Sequence, residues 1–217
     1  MGEFARARDN MVLSQLRPGG VRDERVVSAM SAVPREAFVS EYQRPIAYIA
    51  ADLSVGEGRY LMEPLVFAHL LSAAKIDRHD IVLDVGCGTG YSTAVLARLA
   101  DTVVALESSD ELTQRADKTL EELGVDNAVV VCRPLKQGYS QQGPYNVIVI
   151  EGTIPSVSDE LVSQLDEGGR LVAVVGSSGI GRCTLIERIE GLVSSRTVMD
   201  AAVPELPEFS SKTGFIF

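Results

Sequence analysis

The sequence predicts an α/β protein with a doubly wound, Rossmann-like sheet, an antiparallel C-terminal strand pair and an N-terminal helical segment. Short Val- and Ile-rich runs recur from Ile81 onward and alternate with amphipathic stretches. Runs of this kind, bounded by turns, are typical of parallel strands covered on both faces. The first run leads into a glycine-rich turn, and two apolar runs near the C-terminus are joined by a short turn at Gly191. Several βα units followed by a hairpin predict one such sheet.

The first 63 residues are predicted to form a helical lead-in, and residues 64–217 the main domain. Asp23 can cap a helix whose apolar side chains recur at helical spacing, and Pro34 then breaks it. The stretch 46–58 shows no clear period. Pro64 suits the first turn of the next helix, which marks the start of the main domain.

The main domain is predicted to alternate strands with helices. One helix follows Gly90, a second covers about 110–123, with Ser108 and Glu111 spaced as a capping box, and a third covers about 158–165. No helix is predicted after the third strand. The predicted parallel strands are 81–85, 103–106, 128–132, 145–150 and 170–175, and the final pair is 184–190 and 196–202.

Composition narrows the classes of protein to consider. The chain has 217 residues, 46% hydrophobic and 23% charged, with a formal net charge of −10. This acidity argues against nucleic-acid binding, which depends on neutralising phosphates. No apolar run approaches the roughly 20 residues of a membrane span, and the charged N-terminus does not resemble a signal peptide. Three scattered cysteines show no metal-ligand spacing and indicate a reducing compartment, so we expect a cytoplasmic protein without a metal site.

The segment 81–91, IVLDVGCGTGY, is the most informative part of the chain. Asp84 ends an apolar run, three glycines alternate at 86, 88 and 90, and Glu107 follows about 20 residues later, where a ribose-binding acid belongs. The pattern resembles motif I of the Rossmann-type S-adenosyl-L-methionine (SAM) methyltransferases, although a glycine turn used only for packing is the alternative. The resemblance implies SAM as cofactor. The candidate cofactor-binding residues are Asp84, Gly86, Cys87, Gly88, Gly90, Glu107, Ser108 and Arg133.

The chain lacks the usual signature for methylating an exocyclic or amide nitrogen. The strand 145–150 is followed by a Gly-Thr-Ile-Pro stretch after Glu151, not by Asn-Pro-Pro-Tyr. A carboxylate acceptor has a pKa near 4 and is already ionised at neutral pH, so it needs no general base. That chemistry suits a chain with two histidines, His69 and His79, which we interpret as ordinary helix and turn residues.

Several further segments, in order along the chain, carry a sharper likeness. VRDERV at 21–26, VPREAFV at 33–39, LSVGEG at 53–58 and IP…L…QL…GGRLV from 154 accompany the glycine motif. Together they resemble the protein-L-isoaspartate O-methyltransferase family. The resemblance implies methylation of the free carboxylate of isoaspartyl residues in aged proteins, the first step of their repair, with a damaged protein or peptide as partner. It also places an acceptor-site segment within residues 1–63.

The chain departs from the family pattern in three places. Where typical members read Gln-Thr-Ile-Ser, this chain has Arg59-Tyr60-Leu61-Met62, so Arg59, Tyr60 and Met62 are the candidate acceptor-site residues. The usual Gly-Asp-Gly after the third strand is replaced by 133–135, Arg-Pro-Leu, and the ending 210–217, SSKTGFIF, also differs. Three functions stay open: the isoaspartyl enzyme, a related methyltransferase with another acceptor, and a SAM-binding protein without catalysis. The sequence carries no signal for oligomeric state.

Overall fold

The computed structural model describes residues 2–177 and 180–210. The part of the divergent ending at 211–217 lies outside the described residues. The described chain contains a seven-stranded sheet in the order β5-β4-β3-β6-β7-β8-β9. Its strands are β3 (Ile81–Val85), β4 (Thr102–Glu107), β5 (Ala128–Cys132), β6 (Tyr145–Ile154), β7 (Leu165–Ser177), β8 (Ile180–Ile189) and β9 (Leu192–Ala201).

The strand directions confirm the predicted fold class. The five strands from β5 to β7 run parallel, and β8 and β9 are antiparallel additions at one edge. The central strand β3 pairs with β4 on one side and with β6 on the other, so the strand order reverses there. In an open α/β sheet, ligands bind outside the carboxyl ends of the strands at this reversal.

Six helices of the described chain pack around the sheet. The predicted cap of the fifth helix is wrong by one residue, because the Ser109 side chain, not that of Ser108, accepts the bond from the Leu112 backbone N–H. The sixth helix is shorter than its predicted span of 158–165, because the seventh strand already begins at Leu165. The helices are α1 (Glu3–Met11), α2 (Glu24–Ala32), α3 (Pro64–Ala74), α4 (Tyr91–Leu96), α5 (Asp110–Glu122) and α6 (Asp159–Val162).

The N-terminal segment contains a β-hairpin that the sequence analysis missed. Its strands are β1 (Leu53–Gly56) and β2 (Arg59–Leu61), and they pair in an antiparallel register. Strands of three or four residues are too short to show a clear period of two. The turn between them takes positive φ at Glu57 and Gly58. Helices α1 and α2, a π-helical stretch (Val12–Leu16) and two 3-10 helices (Arg35–Phe38 and Glu41–Ile46) complete the segment.

Two clusters of buried apolar side chains hold the sheet in place. One contains the N-terminal segment, α3 and α4. The other contains buried side chains around Leu135, Leu161 and Leu206. The segment 203–210 packs on the carboxyl end of β6, where Thr153 exchanges backbone hydrogen bonds with Pro204 and Leu206. No helix among the described residues is long and apolar enough to span a membrane.

Candidate active site

The glycine loop joins β3 to α4 at the carboxyl edge of the sheet. Gly86, Gly88 and Gly90 adopt φ of +83°, +57° and +91°, a region that favours glycine over other residues. The Gly86 N–H donates to the carbonyl of Leu106 at 2.8 Å, which ties the loop to the neighbouring strand. The loop therefore presents bare backbone next to the end of β4.

Asp84 is fully buried beneath this loop. Its Oδ2 accepts hydrogen bonds from the hydroxyls of Ser92 and Thr93, both at 2.7 Å. Its Oδ1 is buried and has no hydrogen-bond partner among the described residues. Burial, with a smaller contribution from the charge of Glu107, raises the pKa of Asp84 to about 7, although the two hydroxyls oppose the rise. An unpartnered buried carboxylate oxygen fits an ammonium group of a ligand.

Glu107 ends β4 and is also fully buried. Its Oε2 accepts from the Gly88 backbone N–H at 3.0 Å. Its Oε1 accepts from the backbone N–H groups of Ser108 and Ser109 at 2.6 and 3.1 Å. Three backbone donors fix this carboxylate against the glycine loop.

The Arg59 guanidinium forms an ion pair with the Glu107 carboxylate. Its Nε and Nη2 donate to the two oxygens of Glu107 at 3.0 Å each, and its side chain is only 2% exposed. Nη2 also donates to Ser108 Oγ at 2.9 Å and to Glu208 Oε1 at 2.7 Å. The guanidinium thus joins the hairpin, the end of β4 and the C-terminal segment in one ion cluster. An Arg59 that anchors an acceptor carboxylate would first have to release Glu107.

Tyr60 and Met62 lie beside a narrow cleft next to the glycine loop. Tyr60 is partly exposed, whereas Met62 is buried. The Met62 carbonyl accepts a bond of 2.8 Å from Nη2 of the buried Arg35, which holds the chain in place directly after β2. The cleft is lined by Tyr60, Met62, Gly86, Cys87, Tyr91 and Glu151, among others.

Arg133 and Pro134 follow β5. The Arg133 backbone N–H donates to the Glu107 carbonyl at 2.9 Å. The Arg133 side chain is exposed, and its Nη1 donates to the Cys132 carbonyl. Pro134 is exposed as well and has no N–H to donate. A ligand at this edge of the sheet would meet the backbone around Arg133 and no acidic side chain from 133–134.

The structure brings most of the candidate residues together. The glycine loop, Asp84, Glu107, Ser108 and Arg59 lie together at the carboxyl edge of the sheet. Tyr60 and Met62 lie at the cleft next to Gly86. Sequence reasoning missed Glu151 and Glu208. Glu151 directly follows the predicted strand 145–150, and this position at a strand end could have marked it as a candidate site residue. Glu208 lies about 100 residues after Glu107 in the chain and gave no local signal.

Comparisons with known proteins identify relatives of the chain. Residues 7–205 match the family model for protein-L-isoaspartate(D-aspartate) O-methyltransferase. A protein-L-isoaspartate O-methyltransferase of Methanoculleus marisnigri is 37% identical over 190 residues, covering 88% of this chain and 86% of that protein. One from Koribacter versatilis is 39% identical over 197 residues, covering 91% and 88%.

Solved structures give the same result. A protein-L-isoaspartate O-methyltransferase matches with a TM-score of 0.81 and 25% identity, covering 92% of this chain and 65% of that one. A putative family enzyme of Plasmodium falciparum, solved with S-adenosyl-L-homocysteine, has the same fold with a TM-score of 0.78 and 19% identity, covering 95% and 99%. The family resemblance, the enzyme class and SAM as cofactor, all predicted from sequence, are confirmed. The chain therefore belongs to the protein-L-isoaspartate(D-aspartate) O-methyltransferase family of SAM-dependent enzymes.

Proposed function

We propose that the chain transfers a methyl group from SAM to the free carboxylate of isoaspartyl residues in damaged proteins or peptides. The observation that carries the proposal is the match to the family model over residues 7–205. The arrangement of Asp84, the glycine loop and Glu107 at the reversal of strand order supports it, because this is where an α/β sheet binds its ligand.

The cofactor would be held by residues of the crevice. SAM, when bound, supplies a methyl group activated on a sulfonium. The free Oδ1 of Asp84 would take the ammonium of the methionine part, and Oε2 of Glu107, which receives only two donors, would accept from a ribose hydroxyl. Gly86, Cys87, Gly88 and Gly90 would contribute close backbone, and Ser108 and Arg133 would border the adenosine.

The acceptor would enter the cleft beside Tyr60 and Met62. Its carboxylate is ionised at neutral pH, so the protein has to hold it in line with the methyl group rather than remove a proton. No histidine lies among the residues that line this cleft, which agrees with chemistry that needs no base. Residues 1–63 would thus supply the acceptor-site segment, and residues 64–217 the SAM-binding domain.

Arg59 has two candidate roles in this scheme. In the first, it stays on Glu107 and Glu208 and orders the ribose end of the crevice. In the second, it turns toward the cleft and binds the acceptor carboxylate through its planar donor fork. Arg59→Ala separates the two roles. Loss of the first role should weaken SAM binding, and loss of the second should raise the KM for the peptide.

We infer that the enzyme works in protein repair in the cytoplasm. The three cysteines are all free, and Cys87 and Cys183 are buried. Unpaired buried thiols suit a reducing compartment.

The test is methyl transfer to an isoaspartyl peptide by two forms of the chain. One form is the wild type, and the other carries Gln-Thr-Ile-Ser at positions 59–62. We expect both to bind SAM in a calorimetric titration and the wild type to methylate the peptide. Activity only in the replaced form would mean that the acceptor site has changed its substrate. SAM binding without transfer by either form would contradict the proposed function.

A further inference from the structure

Glu151 is a buried acid at the cleft that the scheme above does not use. Val85 of β3 pairs with Ile150 of β6, so Glu151 is the next residue beyond this pair, level with Gly86. It is 8% exposed, lines the cleft beside Tyr60 and Met62, and its Oε1 has no hydrogen-bond partner among the described residues. A buried oxygen without a partner is costly unless a ligand satisfies it.

The groups around Glu151 favour its neutral form. Burial raises the pKa of Glu151 well above the usual value, and the charge of Asp84 on β3 adds to this rise. Cys87 and Tyr91 face it from the glycine loop and α4, and burial raises the pKa of both, so they stay uncharged. Arg35 opposes the shift; its Nε and Nη2 donate to the carbonyls of Ala47 and Met62, and its buried Nη1 has no hydrogen-bond partner among the described residues.

A neutral carboxyl group can donate a hydrogen bond to the carboxylate that is to be methylated, whereas an ionised one cannot. An ionised Glu151 would repel an incoming carboxylate, whereas a protonated one donates an O–H bond to it, and hydrogen bonds to charged groups are the strong ones. The Met62 side chain, at the same cleft, can donate none.

We propose that the Glu151 carboxyl group, carrying its proton, donates the hydrogen bond that orients the acceptor carboxylate for methyl transfer. This inference rests on the proposed function, because it assumes a carboxylate acceptor. It makes Glu151 an acceptor-binding residue and leaves the cofactor to Asp84 and Glu107.

The test compares Glu151→Gln with Glu151→Ala and Glu151→Met in methyl transfer to an isoaspartyl peptide across pH. Gln keeps a donor at every pH, whereas Ala and Met keep none. We expect Ala and Met to lower kcat/KM by at least about tenfold, chiefly through the KM for the peptide. Gln should stay within about threefold of the wild type at neutral pH. Wild-type activity should fall as the pH rises and Glu151 loses its proton, and the Gln variant should not show this fall. SAM affinity and the thermal midpoint verify that each variant is folded.

Each other outcome overturns the inference in a recognisable way. A Gln variant as poor as Ala would show that Glu151 acts as an anion, either as a base or as a partner of the cofactor. Ala and Met variants equal to the wild type would show that it has no role. In both cases the proposed function stands if the wild type is active. A wild type that binds SAM but does not methylate the peptide would overturn the proposed function together with the inference.

Discussion

Asp84 is a fully buried acid whose Oδ1 has no hydrogen-bond partner among the described residues. Its raised pKa means that the folded chain binds more protons than the unfolded one between about pH 4 and pH 7. Stability that is present below the unfolded pKa is therefore lost as the pH rises toward 7. A residue that lowers stability at neutral pH and keeps Oδ1 free is suited to a ligand that supplies the missing positive charge.

We expect SAM affinity to rise as the pH increases through about 7, because only ionised Asp84 pairs with the ammonium. In Asp84→Asn the affinity should be at least about tenfold lower at pH 8, a difference of roughly 1.4 kcal/mol, and this dependence should disappear. Calorimetric titration from pH 6 to pH 8.5 measures both effects. A wild type whose SAM affinity does not change over this range would argue against Asp84 as the ammonium partner.

Arg59 and Glu107 form a buried ion pair whose loss we expect to be costly. Arg59→Ala leaves Glu107 buried with only its backbone and Ser108 donors, so the free energy of unfolding should fall by about 3 kcal/mol. Arg182→Ala is the matched control, because the partners Arg182 and Asp200 are 68% and 92% exposed and should contribute less than about 1 kcal/mol. Urea unfolding of the two variants gives the comparison. Equal losses would mean that the Arg59 pair adds no more than a surface contact.

The C-terminal segment 203–210 packs against the glycine loop. The Thr153 N–H donates to the Pro204 carbonyl and the Leu206 N–H to the Thr153 carbonyl, both at 2.9 Å. A Cβ placed on Gly86 would lie 3.2 Å from the Leu206 side chain. With Glu208 bound to Arg59, this segment and the β1–β2 hairpin cover the crevice from both sides. SAM affinity should therefore depend on their packing.

We expect Leu206→Ala to lower both stability and SAM affinity. The side chain is 1% exposed, and its removal should cost about 2–5 kcal/mol of unfolding free energy. Leu165→Ala is the matched control: Leu165 is equally buried, but it pairs with Tyr145 at the start of β6, at the opposite edge of the sheet. It should lose similar stability and keep its SAM affinity. Unchanged SAM affinity in both variants would show that the segment only fills the core.

For the whole molecule, the sequence was sufficient for the sheet, for the family and for SAM as its cofactor. Val- and Ile-rich strands and the glycine turn are local patterns, and parallel strands bring their carboxyl ends to one edge. The hairpin at 53–61 was missed because its strands are too short to show a period. The partnership of Arg59 with Glu107 and Glu208 joins residues 48 and 149 positions apart, so only the folded chain reveals it.

We expect this chain, with Arg59, Tyr60 and Met62 in place of the family's usual residues, still to methylate an isoaspartyl carboxylate. The most direct measurement uses two peptides that differ only in whether one aspartate is linked through its β-carboxyl group. We expect methyl-labelled SAM to give a base-labile ester on the isoaspartyl peptide and background levels on its aspartyl counterpart. Equal labelling of the two peptides, or none on either while SAM is bound, would contradict this expectation.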